Sequence, residues 1–152
     1  NSSGQGLDLG TGSGWGLSLL PSDISQIHAL DQSAAMIDLI AQKHPEVLIE
    51  VGDALKTPYD NSTMDLILCI GLSEYVEHVQ ELIEEIHRLL TRYGYAIVTS
   101  SPPNILNQLR RLLGHKLFLR STRTMLVKLG VGGFTVIRIN QTLLQDQFLI
   151  SK

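Results

Sequence analysis

Gly6-Leu7-Asp8-Leu9-Gly10-Thr11-Gly12-Ser13-Gly14 opens the chain with a short apolar run, an acid, and glycine at alternate positions. A second acid, Asp31, closes the next apolar run, Ile27-His28-Ala29-Leu30. Glycine at this spacing lets the backbone turn sharply and approach a ligand with no Cβ in the way. A helix starting at about Gly14 would aim its free N–H groups at that ligand and favour an anionic group there. Asp31 stands where an acid at the end of a second parallel strand accepts ribose hydroxyls. These residues read as a site for an adenosine-containing cofactor.

Asp8 bears on which cofactor. A dinucleotide site shares the glycine-rich loop, but its pyrophosphate carries two negative charges. An aspartate about 4 Å away would oppose each by roughly 4 kcal/mol at an effective dielectric of 20. A ligand with a carboxylate, an ammonium and a sulfonium tolerates that acid. The Asp-x-Gly-x-Gly-x-Gly pattern of Asp8, Gly10, Gly12 and Gly14 resembles the first motif of the class I S-adenosylmethionine-dependent methyltransferases.

The elements that must carry these residues alternate between strand-like and helix-like patterns, the signature of a parallel sheet covered by helices. Strands are expected at about 5–9, 26–31, 48–51, 64–70 and 95–100. Ser33 is a candidate N-cap for a helix from Ala34 to about Lys43, with Pro45 just beyond. Tyr75, Val76, Val79, Leu82, Ile83, Ile86, Leu89 and Leu90 recur at three- and four-residue steps, predicting a helix from Glu74 to Leu90. Asn104 to Arg120 reads as amphipathic and basic, its leucines set against Arg110, Arg111, Lys116 and Arg120. A short helix near Thr124–Leu129 precedes strands at about 134–140 and 145–150, which lie too close in sequence for a helical crossover and must form an antiparallel hairpin.

That order extends the resemblance from Gly6 to Ser151. It implies an α/β fold: a Rossmann-like, doubly wound, mostly parallel seven-stranded sheet ending in an antiparallel hairpin. It also implies S-adenosylmethionine as cofactor and methyl transfer to a small, apolar acceptor. Asp8 and the backbone of Gly10, Gly12 and Gly14 would hold the methionine part, Asp31 the ribose hydroxyls, and Gln32 would lie beside the adenine. Asp53 would accept from the adenine amino group and Ala54 offer its N–H to the ring. Cys69, Ile70 and Gly71, ending strand four, would line the pocket beneath the sulfonium. Glu74, Tyr75 and His78 are the candidates for a base, Glu74 and His78 being four apart and so neighbours on one helix face. No catalytic residue is fixed beyond these candidates, and no His, Cys or Asp cluster has metal-ligand spacing.

Composition bounds the rest. The 152 residues suit one domain, 1–152, read as methyltransferase-like but without the helices that family members usually place before strand one. An apolar content of 43% with 18% charged residues is that of a globular chain rather than a disordered one. The single cysteine, Cys69, excludes an intrachain disulfide and fits a reducing cytoplasm. Ser101-Pro102-Pro103-Asn104 is similar to the Asn/Asp-Pro-Pro-Tyr motif of amino-directed nucleic-acid methyltransferases. That motif belongs after strand four, where Ile70-Gly71-Leu72-Ser73 stands, so a nucleic-acid acceptor is not expected. Of fifteen Asp and Glu only Asp146 follows Glu85, and of twelve Lys and Arg only Lys43 and Lys56 precede it. With no apolar run long enough to span a bilayer, this asymmetry points to peripheral contact with an anionic membrane surface through residues 104–120. Two rival readings are a non-catalytic adenosine-cofactor-binding or interaction module and an NAD-dependent oxidoreductase.

Overall fold

The computed structural model describes residues 4–152. Its strands are β1 (Gly4–Leu9), β2 (Ile24–Asp31), β3 (Leu48–Val51), β4 (Met64–Cys69), β5 (Leu90–Ser100), β6 (Thr135–Gln141) and β7 (Asp146–Ser151). The helices are α1 (Ala34–Lys43), α2 (Val79–Leu89), α3 (Ile105–Leu112) and α4 (Thr122–Val131). One seven-stranded sheet runs in the order β3-β2-β1-β4-β5-β7-β6. β1 to β5 pair in parallel, and β7 is antiparallel to both β5 and β6. The doubly wound sheet and its closing hairpin are therefore as the sequence implies.

Two cores sit on its two faces. Leu7, Leu9, Leu30, Ile67 and Val98 pack beneath α2 and α4 with Phe148 and Met125. Val79, Leu82, Ile83, Ile86 and Leu89 form the buried stripe of α2, and each such side chain is worth roughly 1.5–3 kcal/mol. A smaller cluster, Leu17, Ala29, Ile40 and Val47, lies under α1 on the other face. Ser33 caps α1, its hydroxyl accepting the Met36 N–H, and the helix spans the residues expected from sequence.

Several expectations are corrected. Only a 3-10 turn, Gly16–Leu19, stands between β1 and β2, so no α-helix starts at Gly14. Gly10, Gly12, Gly14, Gly16 and Pro21 in that crossover are poor helix formers. The predicted helix from Glu74 begins five residues late: Ser73–Tyr75 is a 3-10 turn, and α2 starts at Val79. α3 ends at Leu112, with Gly114 at φ +96 just past it, so residues 115–120 leave the helix altogether. β5 starts at Leu90 rather than Tyr95, its pairing with β4 shifting register between Met64 and Leu66.

Candidate functional site

The carboxyl ends of β1 to β4 enclose a cavity of about 670 Å³. Gly10 and Gly12 from the loop after β1, Asp31 and Gln32 from the end of β2, and Asp53 and Ala54 after β3 contribute to its wall. Gly71, Leu72, Tyr75, Val76, Glu77 and His78 supply the side beyond β4. A sheet opens at its strand ends where neighbouring connections diverge, and here β1 and β4 send theirs to opposite sides.

Asp31 is the hub of the loop geometry. Its Oδ2 accepts the Gly12 N–H at 2.9 Å and its Oδ1 the Ser33 N–H at 2.9 Å. The N–H groups of Gly10 and Thr11 donate to the Leu30 carbonyl at 2.8 and 3.1 Å, and that of Gly14 to the Thr11 carbonyl at 2.9 Å. The Gly10, Thr11, Gly12 and Gly14 amides are thus bonded within the protein. Gly14, at φ +83, is required by packing: a Cβ there would come within 2.4 Å of Ile40 Cδ1. Gly12, at φ +50, meets nothing within 4 Å and faces the open cavity.

Asp8, Gly14, Cys69 and Ile70 are not on the cavity wall. Asp8 is folded beneath the loop, 2% exposed, and accepts the Thr11 hydroxyl at 2.7 Å. Burial pushes its carboxyl up to about 6; the Thr11 hydrogen bond opposes the rise and the Asp31 charge adds to it. Cys69 belongs to the main core, and burial, with the charges of Glu74 and Asp8, drives its thiol far above the usual range. It is a small buried hydrophobe rather than a nucleophile.

The candidate bases separate. Tyr75 and His78 are exposed on the cavity wall, His78 immediately ahead of α2. Glu74 is 1% exposed and points away from His78's surface into a polar cluster, so the two are not partners on one helix face. Its Oε1 accepts from Gln145 Nε2 at 3.0 Å and Ser101 Oγ at 3.3 Å, while its buried Oε2 has no partner among the described residues. Beside it, Arg120 is buried and donates to the carbonyls of Ser73, Val76, Glu77 and Phe118. Arg120 is thus a brace for the β4 loop, not a cation on the solvent face of a helix. Val76 and Glu77 line the cavity from within the stretch that apolar periodicity assigns to a helix, and Leu72 from just before it. Asp53 forms a turn, its Oδ1 accepting the Leu55 N–H at 2.9 Å, yet it also borders the cavity.

A methyltransferase-domain sequence profile matches residues 7–98. The chain belongs to the methyltransferase-domain family. It is 31% identical over 106 residues to the biotin biosynthesis bifunctional protein BioHC of Cellvibrio japonicus, a match covering 69% of this chain and 21% of that protein. With the demethylmenaquinone methyltransferase of Deinococcus radiodurans it shares 31% identity over 104 residues, 64% of this chain and 43% of the relative. The chain thus spans less than half the length of these curated relatives. Its fold superposes on the S-adenosylmethionine-dependent methyltransferase of Mesorhizobium loti with a TM-score of 0.82 at 17% identity, covering 100% of this chain and 93% of the other.

S-adenosylmethionine is the cofactor of the class I methyltransferase fold, and the residues present fit it. Each Asp31 oxygen accepts one backbone N–H, leaving a lone-pair site on each, which suits a vicinal pair of ribose hydroxyls. The open space over Gly12 admits a ligand against the backbone. No described helix is long and apolar enough to cross a membrane.

Proposed function

We propose that this methyltransferase domain binds S-adenosylmethionine in the 670 Å³ cavity and transfers its methyl group to a small, apolar acceptor. The observation that carries this reading is the meeting of Gly12, Asp31 and Asp53 on one wall of that cavity. When bound, S-adenosylmethionine supplies a methyl group already activated on a sulfonium. Asp31 accepts the ribose hydroxyls, Gln32 flanks the adenine, and Asp53 with the Ala54 N–H meets the adenine edge. Gly10 and Gly12 border the methionine part, and the buried carboxylate of Asp8 biases the field behind them toward cations. Gly71 and Leu72 border the reacting end, with Cys69, the last residue of β4, and Ile70 behind them.

Methyl transfer needs the acceptor held in line with the methyl, an alignment worth several kcal/mol. Leu55, Leu72 and Val76 give that part of the wall an apolar lining. Demethylmenaquinone, named for the Deinococcus relative, is an acceptor of the class such a wall would take. His78 is the group placed to receive a proton from an acceptor that must lose one, the Tyr75 hydroxyl can orient that acceptor by a hydrogen bond, and Glu74 supports the loop from beneath. We infer a cytoplasmic setting from the lone buried thiol of Cys69. Calorimetric titration tests the reading: S-adenosylhomocysteine should bind and NAD should not. Tight NAD binding with no response to S-adenosylhomocysteine would overturn it.

A further inference from the structure

α3 is mounted inside out. Asn107, its one buried residue, donates through Nδ2 to the carbonyls of Pro102 and Leu144 at 2.9 and 3.0 Å. Arg110, half-buried on the same inner side, bonds Asn107 Oδ1 at 2.9 Å and Ser101 Oγ at 3.4 Å. The helix is therefore anchored by polar groups, and its apolar stripe faces water: Ile105 is 86% exposed, Leu109 50%, Leu112 83% and Leu113 73%. A helix that merely covers a sheet does the reverse. The turn between β6 and β7 extends this face, Leu143 being 77% exposed and held by Asn104 Nδ2, which donates to its carbonyl at 2.8 Å.

The charge around the stripe has one sign. Arg111, His115 and Lys116 are exposed beside it. No Asp or Glu occurs between Glu85 and Asp146, and Asp146 is buried, accepting the Thr122 hydroxyl at 2.6 Å. We propose that α3 and the β6–β7 turn form a docking face for an anionic lipid bilayer, the leucines entering the interface and the cations meeting the headgroups. Ser100 pairs with Asp146 in the sheet, so this face lies at the same carboxyl edge as the cavity. That an acceptor arrives from the bilayer rests on the methyl-transfer reading; the docking face itself does not.

Vesicle co-sedimentation tests the proposal without any cofactor, so its outcome is independent of the S-adenosylhomocysteine titration. The domain should partition onto phosphatidylglycerol-containing vesicles at least about tenfold more than onto pure phosphatidylcholine, and high salt should erase most of that preference. Ile105→Ser/Leu109→Ser/Leu112→Ser and, separately, Arg111→Ser/Lys116→Ser should each lower partitioning about tenfold. Because these side chains are exposed, both variants should keep the parent's circular dichroism and melting temperature, while Arg92→Ser, far from the face, should bind as the parent does. Equal binding to both vesicle types, or unchanged binding by the leucine variant, would overturn the proposal. So would a dimer that Leu112→Ser dissociates while vesicles stay unbound, since the face would then belong to a second copy.

Discussion

Asp31 Oδ2 accepts the N–H of Gly12 at 2.9 Å, so the acid that ends β2 also fastens the loop that leaves β1. One carboxylate thereby shapes the cavity wall and offers it acceptor sites. Asp31→Ala should weaken S-adenosylhomocysteine binding by about 1.5–3 kcal/mol, the range for hydrogen bonds to a charged group. Stability should fall as well, by about 1–2 kcal/mol, because the Gly12 and Ser33 amides lose their acceptor. Calorimetry and urea unfolding separate the two effects; undiminished affinity in the folded variant would reassign Asp31 to the loop alone.

Asp8 makes the domain's stability depend on pH. Its carboxyl titrates at about 6 in the folded chain against an ordinary 3.8, so the fold favours the protonated form. The stability this contributes is complete below pH 3.8 and is lost as pH rises through 6, a change on the order of 2–3 kcal/mol. Asp8→Asn keeps an acceptor for the Thr11 hydroxyl and removes the titration. The variant should therefore match the parent at low pH and exceed it near neutrality, as read by urea unfolding across that window.

Two glycines of the loop should fail differently. Gly14→Ala forces a Cβ against Ile40 at φ +83 and should cost about 2 kcal/mol or more of stability. Gly12→Ala carries only the milder left-handed penalty of about 1–2 kcal/mol, but its methyl enters the cavity. Its larger effect should be on S-adenosylhomocysteine affinity. Thermal melts and calorimetry on the pair check the contrast.

Glu85 holds the helix-free segment between β3 and β4. Its Oε1 accepts the Thr57 N–H at 2.8 Å, the Thr57 hydroxyl at 2.7 Å and Arg88 Nη2 at 2.7 Å, while Arg88 Nη1 reaches the Tyr59 carbonyl at 2.8 Å. Burial pushes the Glu85 carboxyl up, but the Arg88 and Thr57 hydrogen bonds outweigh it and hold the group below its usual range. Glu85→Ala should cost about 2–4 kcal/mol near neutral pH, with a smaller deficit in acid, where the parent's carboxylate is also neutralised. Urea unfolding at both pH values reads the difference.

Where sequence and structure agree or part has a physical basis. The approximate strand positions, the terminal hairpin and the Ser33-capped α1 were legible because each follows from patterns within a few residues, whereas the sheet as a whole was implied by the family resemblance. The start of α2 was not. Tyr75 and Val76 continue the helical period, yet Arg120, 44 residues beyond Val76, draws off its carbonyl together with those of Ser73 and Glu77. No local pattern announces a partner so distant. The end of α3 had a readable signal in Gly114, which the run of leucines outweighed. In the cavity, Asp31 was legible as the acid that ends a strand, and Gln32, Asp53 and Gly71 through the family resemblance, whereas Leu72 and Val76 required the course of the segment after β4.

The internal bonding of the Gly10, Thr11, Gly12 and Gly14 amides has a kinetic consequence. A loop whose amides are already committed to Leu30, Asp31 and Thr11 is preorganised, so little backbone freedom remains to be surrendered when a ligand arrives. Association should then resemble rigid docking, single-phase and linear in ligand concentration, and differences among ligands should appear in their residence times.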